Sequence, residues 1–406
     1  MYGNWAFSWV QMVAHNKWPL SLALGVTGAV LASGIFSLQS EVAAKDWLLL
    51  AASVGVMSLA LIYLLDSFKT ALLQLGLNAT VLLLTFGTLG WLGITLDANS
   101  LLGLVVLMTL ITSNLIHILT SVLREMARGL FQFDALAEAL KLNNSPIFLS
   151  NFTTLLGFAL AAWYEPQFAQ LAWVVIVGAV LSYLITLTLL PLILLSWLLE
   201  FRVGHSADRH GYAFVVGWLQ RYPRVIFWGT GMALSGLAVL LLQSGELLTL
   251  LLDFSWMLLV IGALLWLFWR SFSVALLNTL VNAAALMVTL LLFTVLFSQG
   301  VSSLLLLMVP MGLIVDDGIH FFARYVRARR GVFSDREQAV RYAMASVARP
   351  IWLSSWTTLL GLVVLLASDQ QLIQQASVVT MLALGVATLT VLLWVPALLI
   401  HRSHKI

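Results

Sequence analysis

The chain is a succession of apolar runs separated by short polar breaks. A bilayer core takes about 20 apolar residues per helix. Runs of that kind fall near residues 18–38, 46–66, 69–94, 98–123, 147–164, 168–199, 222–243, 248–269, 273–298, 302–326, 350–368 and 372–400. The breaks between them are tight, as in "DSFK" at 66–69, "LDANS" at 96–100 and "RSF" at 270–272. The pattern predicts an all-α polytopic membrane protein with twelve transmembrane helices. Three other stretches carry apolar residues at helical spacing with polar residues between them. Residues 3–17, with Trp5, Trp9 and Trp18 placed for headgroup depth, read as an amphipathic helix on the membrane surface. Residues 131–142 and 334–348 read as cytoplasmic amphipathic helices, each leading into the proline that starts the next span.

Composition agrees with that pattern. The chain is 61% hydrophobic and 9% charged, against roughly a quarter charged residues in a soluble domain. Cysteine is absent, which excludes disulfides, cysteine nucleophiles and thiolate metal sites. Residues 1–17 lack the basic-then-apolar pattern of a cleavable signal peptide. Charge placement predicts orientation. With the N-terminus inside, Lys69, Arg124, Arg128, Lys141, Arg270, the run Arg324–Arg330 and Arg402 all fall on the cytoplasmic side, and Lys45 is the exception. The opposite connections hold Glu41, Asp46, Asp97, Glu165, Glu246 and Asp369. Both termini are therefore expected in the cytoplasm.

The sequence also repeats itself. "NKWPLSL" at 16–22 resembles "QRYPRVI" at 220–226, "LIHILTSVLRE" at 115–125 resembles "GIHFFARYVRA" at 318–328, and "SPIFLSNFTTLLGF" at 145–158 resembles "RPIWLSSWTTLLGL" at 349–362. The offset stays near 204 residues. Two six-helix repeats, residues 1–199 and 213–406, then flank a polar cytoplasmic linker at 200–212. An even number of spans per copy makes the repeats parallel, with a pseudo-twofold along the membrane normal.

Candidate chemistry is concentrated in "MVPMGLIVDDGIHFFARY" at 308–325. An ionised side chain at the bilayer centre costs about 2.5–3.5 kcal/mol on insertion scales, so Asp316 and Asp317 require partners or water. Helical spacing puts Asp316 and His320 at i,i+4 and Asp317 and His320 at i,i+3. Adjacent carboxylates titrate as a coupled unit, and a carboxylate beside a histidine can take up a proton on one side and release it on the other. Pro310 leaves the carbonyl of Leu306 without its helical partner and predicts a kink. The first repeat has Ser113, Asn114 and His117 at the matching places, polar partners without carboxylates. Thr153, Thr154, Thr357 and Thr358, with Ser150, Ser354 and Ser355, form hydroxyl rows suited to a supporting layer. Asn78 and Asn282 match across the repeat and read as helix-packing residues.

Plainer readings stand beside these. The carboxylates could lock two helices structurally, His320 could cap or snorkel near the interface, and the hydroxyl rows could be ordinary helix contacts. No Walker A, Rossmann or HExxH pattern occurs. No cofactor, no metal site and no nucleic-acid partner is expected, and nothing points to an enzyme.

Taken together, the "GLIVDDGIHFFARY" helix, the amphipathic stretch after it and the "RPIWLSSWTTLLG" block resemble the resistance–nodulation–division (RND) superfamily, nearest its mycobacterial-membrane-protein-large (MMPL) and hopanoid-exporter branches. The resemblance implies a proton-motive-force-driven exporter of lipidic or hydrophobic compounds in a bacterial inner membrane. It assigns Asp316, Asp317 and His320 to the proton relay. Its partners would be protons, membrane lipids and a hydrophobic substrate, with a periplasmic partner or a homo-oligomer compatible with the family. Members carry large extracytoplasmic domains between helices one and two and between seven and eight. Here those connections are "SLQSEVAAKD" at 37–46 and "LQSGELLT" at 242–249, too short for a folded domain. The alternative expectation is therefore a non-transporting lipid-sensing or scaffolding module of the same fold.

Overall fold

The computed structural model describes residues 5–197, 218, 221–243, 245–297, 305–331, 333 and 335–401. The expected linker at 200–212 lies outside the described residues, as do residues 3 and 4, 302–304 and 334. The chain folds into two compact units, Met1–Ser206 with Trp356–Ile373, and Ala207–Ser355 with Gln374–Ile406.

In the first unit, α1 (Trp5–His15) precedes α2 (Lys17–Ala32), which ends in a 3-10 turn (Ser33–Ser37). Then come α3 (Ala44–Leu65), α4 (Phe68–Trp91), α5 (Ser100–Ala127), α6 (Gln132–Tyr164) and α7 (Ala169–Ser196). The α3–α4 break is sharp because Asp66 takes the left-handed conformation at φ 52° and ends α3. Helix α5 is apolar nearly all round, the pattern of a fully buried helix, and it packs among α4, α6 and α7. By contrast α2 buries no side chain, as a lipid-facing helix would. The α2–α3 connection is only residues 38–43, held by a single parallel bridge between Ser40 and Leu96.

The second unit contains α8 (Pro223–Gln243), α9 (Gly245–Trp269), α10 (Phe272–Phe297), α11 (Leu305–Gly331), α12 (Arg336–Val364) and α13 (Gln371–Leu389). A π-helical turn at Thr390–Trp394 follows α13 and passes into α14 (Val395–His401). Pro396 lacks the N–H that the carbonyl of Leu392 would use, which accounts for the irregular turn beside it. Helix α12 begins in the second unit and ends in the first. There Gly361 permits close approach to α3, and its carbonyl accepts a 3.0 Å hydrogen bond from Ser53 Oγ.

Among the described residues, nine helical stretches are long and apolar enough to cross a membrane. The chain is an all-α, multi-pass membrane protein. The amphipathic stretches differ from the sequence expectation in two ways. Residues 132–142 and 336–348 are not separate helices ending at a proline; they run without a break through Pro146 and Pro350 into α6 and α12. One turn before Pro146, Asn143 Nδ2 donates to Ala139 O at 2.8 Å and to Ser121 Oγ on α5 at 2.9 Å, tying α6 to α5. The apolar side of α1 is covered by protein. Ala6, Val10 and Val13 are buried, and Trp9 Nε1 donates to Leu187 O of α7 at 2.9 Å.

Candidate functional site

Helix α11 carries both carboxylates at buried positions. Successive helical residues diverge by about 100°, so Asp316 and Asp317 face different neighbours. Asp316 Oδ1 lies 3.4 Å from His320 Nε2, one turn along the same helix. Arg324 lies a further turn on, is 1% exposed, and shares that face. In sequence it reads only as one of a run of cytoplasmic charges.

Asp317 is 2% exposed and points toward α12 and α13. Thr388 Oγ1 donates to its Oδ2 at 2.7 Å, and Ser355 Oγ donates to the same oxygen at 3.4 Å. The two hydroxyls are themselves 2.7 Å apart. A carboxylate thus sits at the apex of a three-helix hydroxyl triangle. Thr388 was not among the expected site residues. Thr357 and Thr358, which were, are buried two and three positions beyond Ser355, in the part of α12 that belongs to the first unit.

Gly318 lets α10 approach the carboxylates. A Cβ at that position would stand 2.0 Å from Asn278 Oδ1. Asn278 and Asn282 lie one turn apart on α10 and are buried, and among the described residues neither amide has a hydrogen-bond partner. Pro310 falls inside the continuous helix α11, two turns before Asp317.

The first unit holds a buried hydrogen-bonded cluster built on an amide. On α5, Asn114 Nδ2 donates to Ser182 Oγ of α7 at 3.1 Å, and Asn151 Nδ2 of α6 donates to Asn114 Oδ1 at 3.4 Å. In sequence Asn114 matches Asp317 and Asn151 matches Ser355 at the offset near 204, and Ser182 is bonded to Asn114 as Thr388 is to Asp317. Ser113, His117, Thr153 and Thr154 are buried in the same unit, with Thr153 Oγ1 bonded to Ser150 O at 3.0 Å. An amide keeps the helices tied by hydrogen bonds but cannot exchange a proton near neutral pH.

For proton chemistry the arrangement is suited. Ionised Asp317 accepts from hydroxyls; protonated Asp317 becomes a donor and the hydroxyls must turn.

No protein-family model and no curated protein matches the sequence. Solved structures do match the fold. The chain is similar to SecDF in its super-membrane-facing form (TM-score 0.63, 14% identity) and to SecDF from Thermus thermophilus, a translocon-associated membrane protein (TM-score 0.65, 14% identity). In each case 89% of this chain is covered, while it spans 62% of the other chain's length. The fold of this chain is SecDF-like.

Proposed function

We propose that the chain is a proton-motive-force-driven transporter core of the RND type, with Asp317 and its neighbour Asp316 as the proton-binding groups. The observation that carries this reading is a buried carboxylate held by hydroxyls from two other helices, where the first unit has an amide at the matching position of the sequence. The SecDF-like fold and the internal repeat support it. So does the presence of helices at each of the twelve apolar runs, which favours two parallel six-helix repeats.

Loss of a proton from Asp317 recruits both hydroxyl donors to its Oδ2. Gain of a proton returns a donor to the site and obliges Thr388 to seek another acceptor. The π-helical turn at Thr390–Trp394 begins two residues after Thr388, so α13 has an irregular segment where a changed contact becomes a changed helix direction. His320, beside Asp316, is placed to pass the proton along α11. The cargo we assign is lipidic or hydrophobic, exported across or from a bacterial inner membrane, with both termini cytoplasmic as the basic residues favour. SecDF itself is translocon-associated, and a role beside a partner protein is compatible with the same proton-driven movement.

The short 38–43 connection favours a second reading, a module that binds lipid without moving it. A fluorescent phospholipid in proteoliposomes separates the two. Movement between leaflets that depends on an imposed pH gradient supports transport. Lipid bound with no gradient-dependent movement supports the sensing or scaffolding module.

A further inference from the structure

At the basic end of α11, away from the carboxylates, the second unit holds a cavity of about 300 Å³. Its polar wall includes Arg329, Arg330 and Arg336 with Tyr325. Arg330 is anchored by donating to Trp269 O at the C-terminus of α9. Arg270 then turns the chain at φ 47°, and α10 starts at Phe272 with Ser271 and Ser273 on the cavity wall. The first-turn N–H groups of α10 have no intrahelical acceptor, so the helix end adds positive potential to that of the guanidinium groups. Among the described residues, no carboxylate lines the cavity. Asp335 lies within electrostatic reach of Tyr325 beside Arg329 and Arg336, and its Oδ2 accepts from Gln338 N at 3.2 Å, while Glu337 pairs with Arg341 at 2.6 Å, so the three lining arginines outnumber the acid near them. The opposite wall is apolar, with Val274, Leu277 and Leu399.

We propose that this cavity is a binding site for a phosphate group, presented by an anionic phospholipid headgroup or as a free phosphate. Guanidinium forks and helix N–H groups are the donors that phosphate oxygens take. The apolar wall suits the glycerol and first methylenes of a lipid, which would tie anionic-leaflet composition to the helix that carries Asp316 and Asp317.

The test is native mass spectrometry of the purified full chain in a neutral detergent, offered phosphatidylglycerol or phosphatidylcholine, with inorganic phosphate offered separately. The variants are Arg329→Gln/Arg336→Gln and, leaving every arginine in place, Ser273→Glu. Arg341→Gln is the control, because Arg341 pairs with Glu337 and does not line the cavity. Preferential retention of phosphatidylglycerol, lowered about tenfold in both variants and unchanged in the control, supports a headgroup site. Saturable inorganic phosphate with the same variant sensitivity and no lipid preference supports a free-phosphate site. Equal retention of both lipids and no phosphate binding in wild type overturns the proposal, as does equal loss in the Arg341→Gln control.

Discussion

Thr388 donates a 2.7 Å hydrogen bond to Asp317, a residue 71 positions earlier in the chain. That bond links the buried carboxylate on α11 to the helix that ends in a π-helical turn. A hydrogen bond to a charged group contributes about 1.5–3 kcal/mol. Thr388→Val is therefore expected to slow gradient-driven proton uptake in proteoliposomes by about tenfold or more. Thr388→Ser should retain most of it, and Ser355→Ala, at 3.4 Å from the same oxygen, should cost less than Thr388→Val.

Gly318 is required by its neighbour. Gly318→Ala brings a methyl group to 2.0 Å from Asn278 Oδ1, which should destabilise the folded chain by about 1–3 kcal/mol. Asn278→Ala removes the obstructing amide. The double variant should recover most of the loss, a non-additivity measurable in thermal unfolding of the detergent-solubilised protein.

Small residues set a second close contact, in the first unit. A Cβ on Gly90 would lie 1.9 Å from Gly34 O, and one on Gly87 would lie 2.0 Å from Leu31 O. Helix pairs in membranes rely on such close approach. Gly87→Val/Gly90→Val should separate α4 from the end of α2 and lower the yield of folded monodisperse protein, whereas Gly76→Ala, with open space around its Cβ position, should have little effect.

Lys45 pairs with Asp369, and both side chains are at least half exposed. Exposed pairs contribute about 0–1 kcal/mol. Lys45→Gln is thus expected to leave the unfolding temperature nearly unchanged, and reversing the charge at Lys45 should be partly compensated by Asp369→Lys.

The sequence shows some parts of this site and hides others for physical reasons. Asp316, Asp317 and His320 stand out because ionisable groups in an apolar run are costly, and their spacing alone puts Asp316 beside His320 on one helix. Arg324 was readable by the same spacing, one turn beyond His320, but its membership of an arginine run masked it. Thr388 gave no signal, since a single hydroxyl in an apolar helix commonly bonds its own backbone; only the fold brings residue 388 to residue 317. Asn114 was legible as a matching polar residue, but its pairing with Ser182 and Asn151 depends on how α5, α6 and α7 pack. The unbroken course of α6 and α12 through Pro146 and Pro350 runs against the proline rule, because a proline removes one hydrogen bond from a helix whose remaining turns are held by packing against neighbouring helices.

The measurement that bears most directly on the central claim is proton uptake into proteoliposomes under an imposed pH gradient, wild type against Asp317→Asn. The substitution keeps shape and one hydrogen-bond acceptor for Thr388 while removing the exchangeable proton, converting the site to the chemistry of Asn114 in the first unit. The account predicts flux in wild type and its loss in Asp317→Asn with the folded yield unchanged. Flux in Asp317→Asn equal to wild type would contradict it.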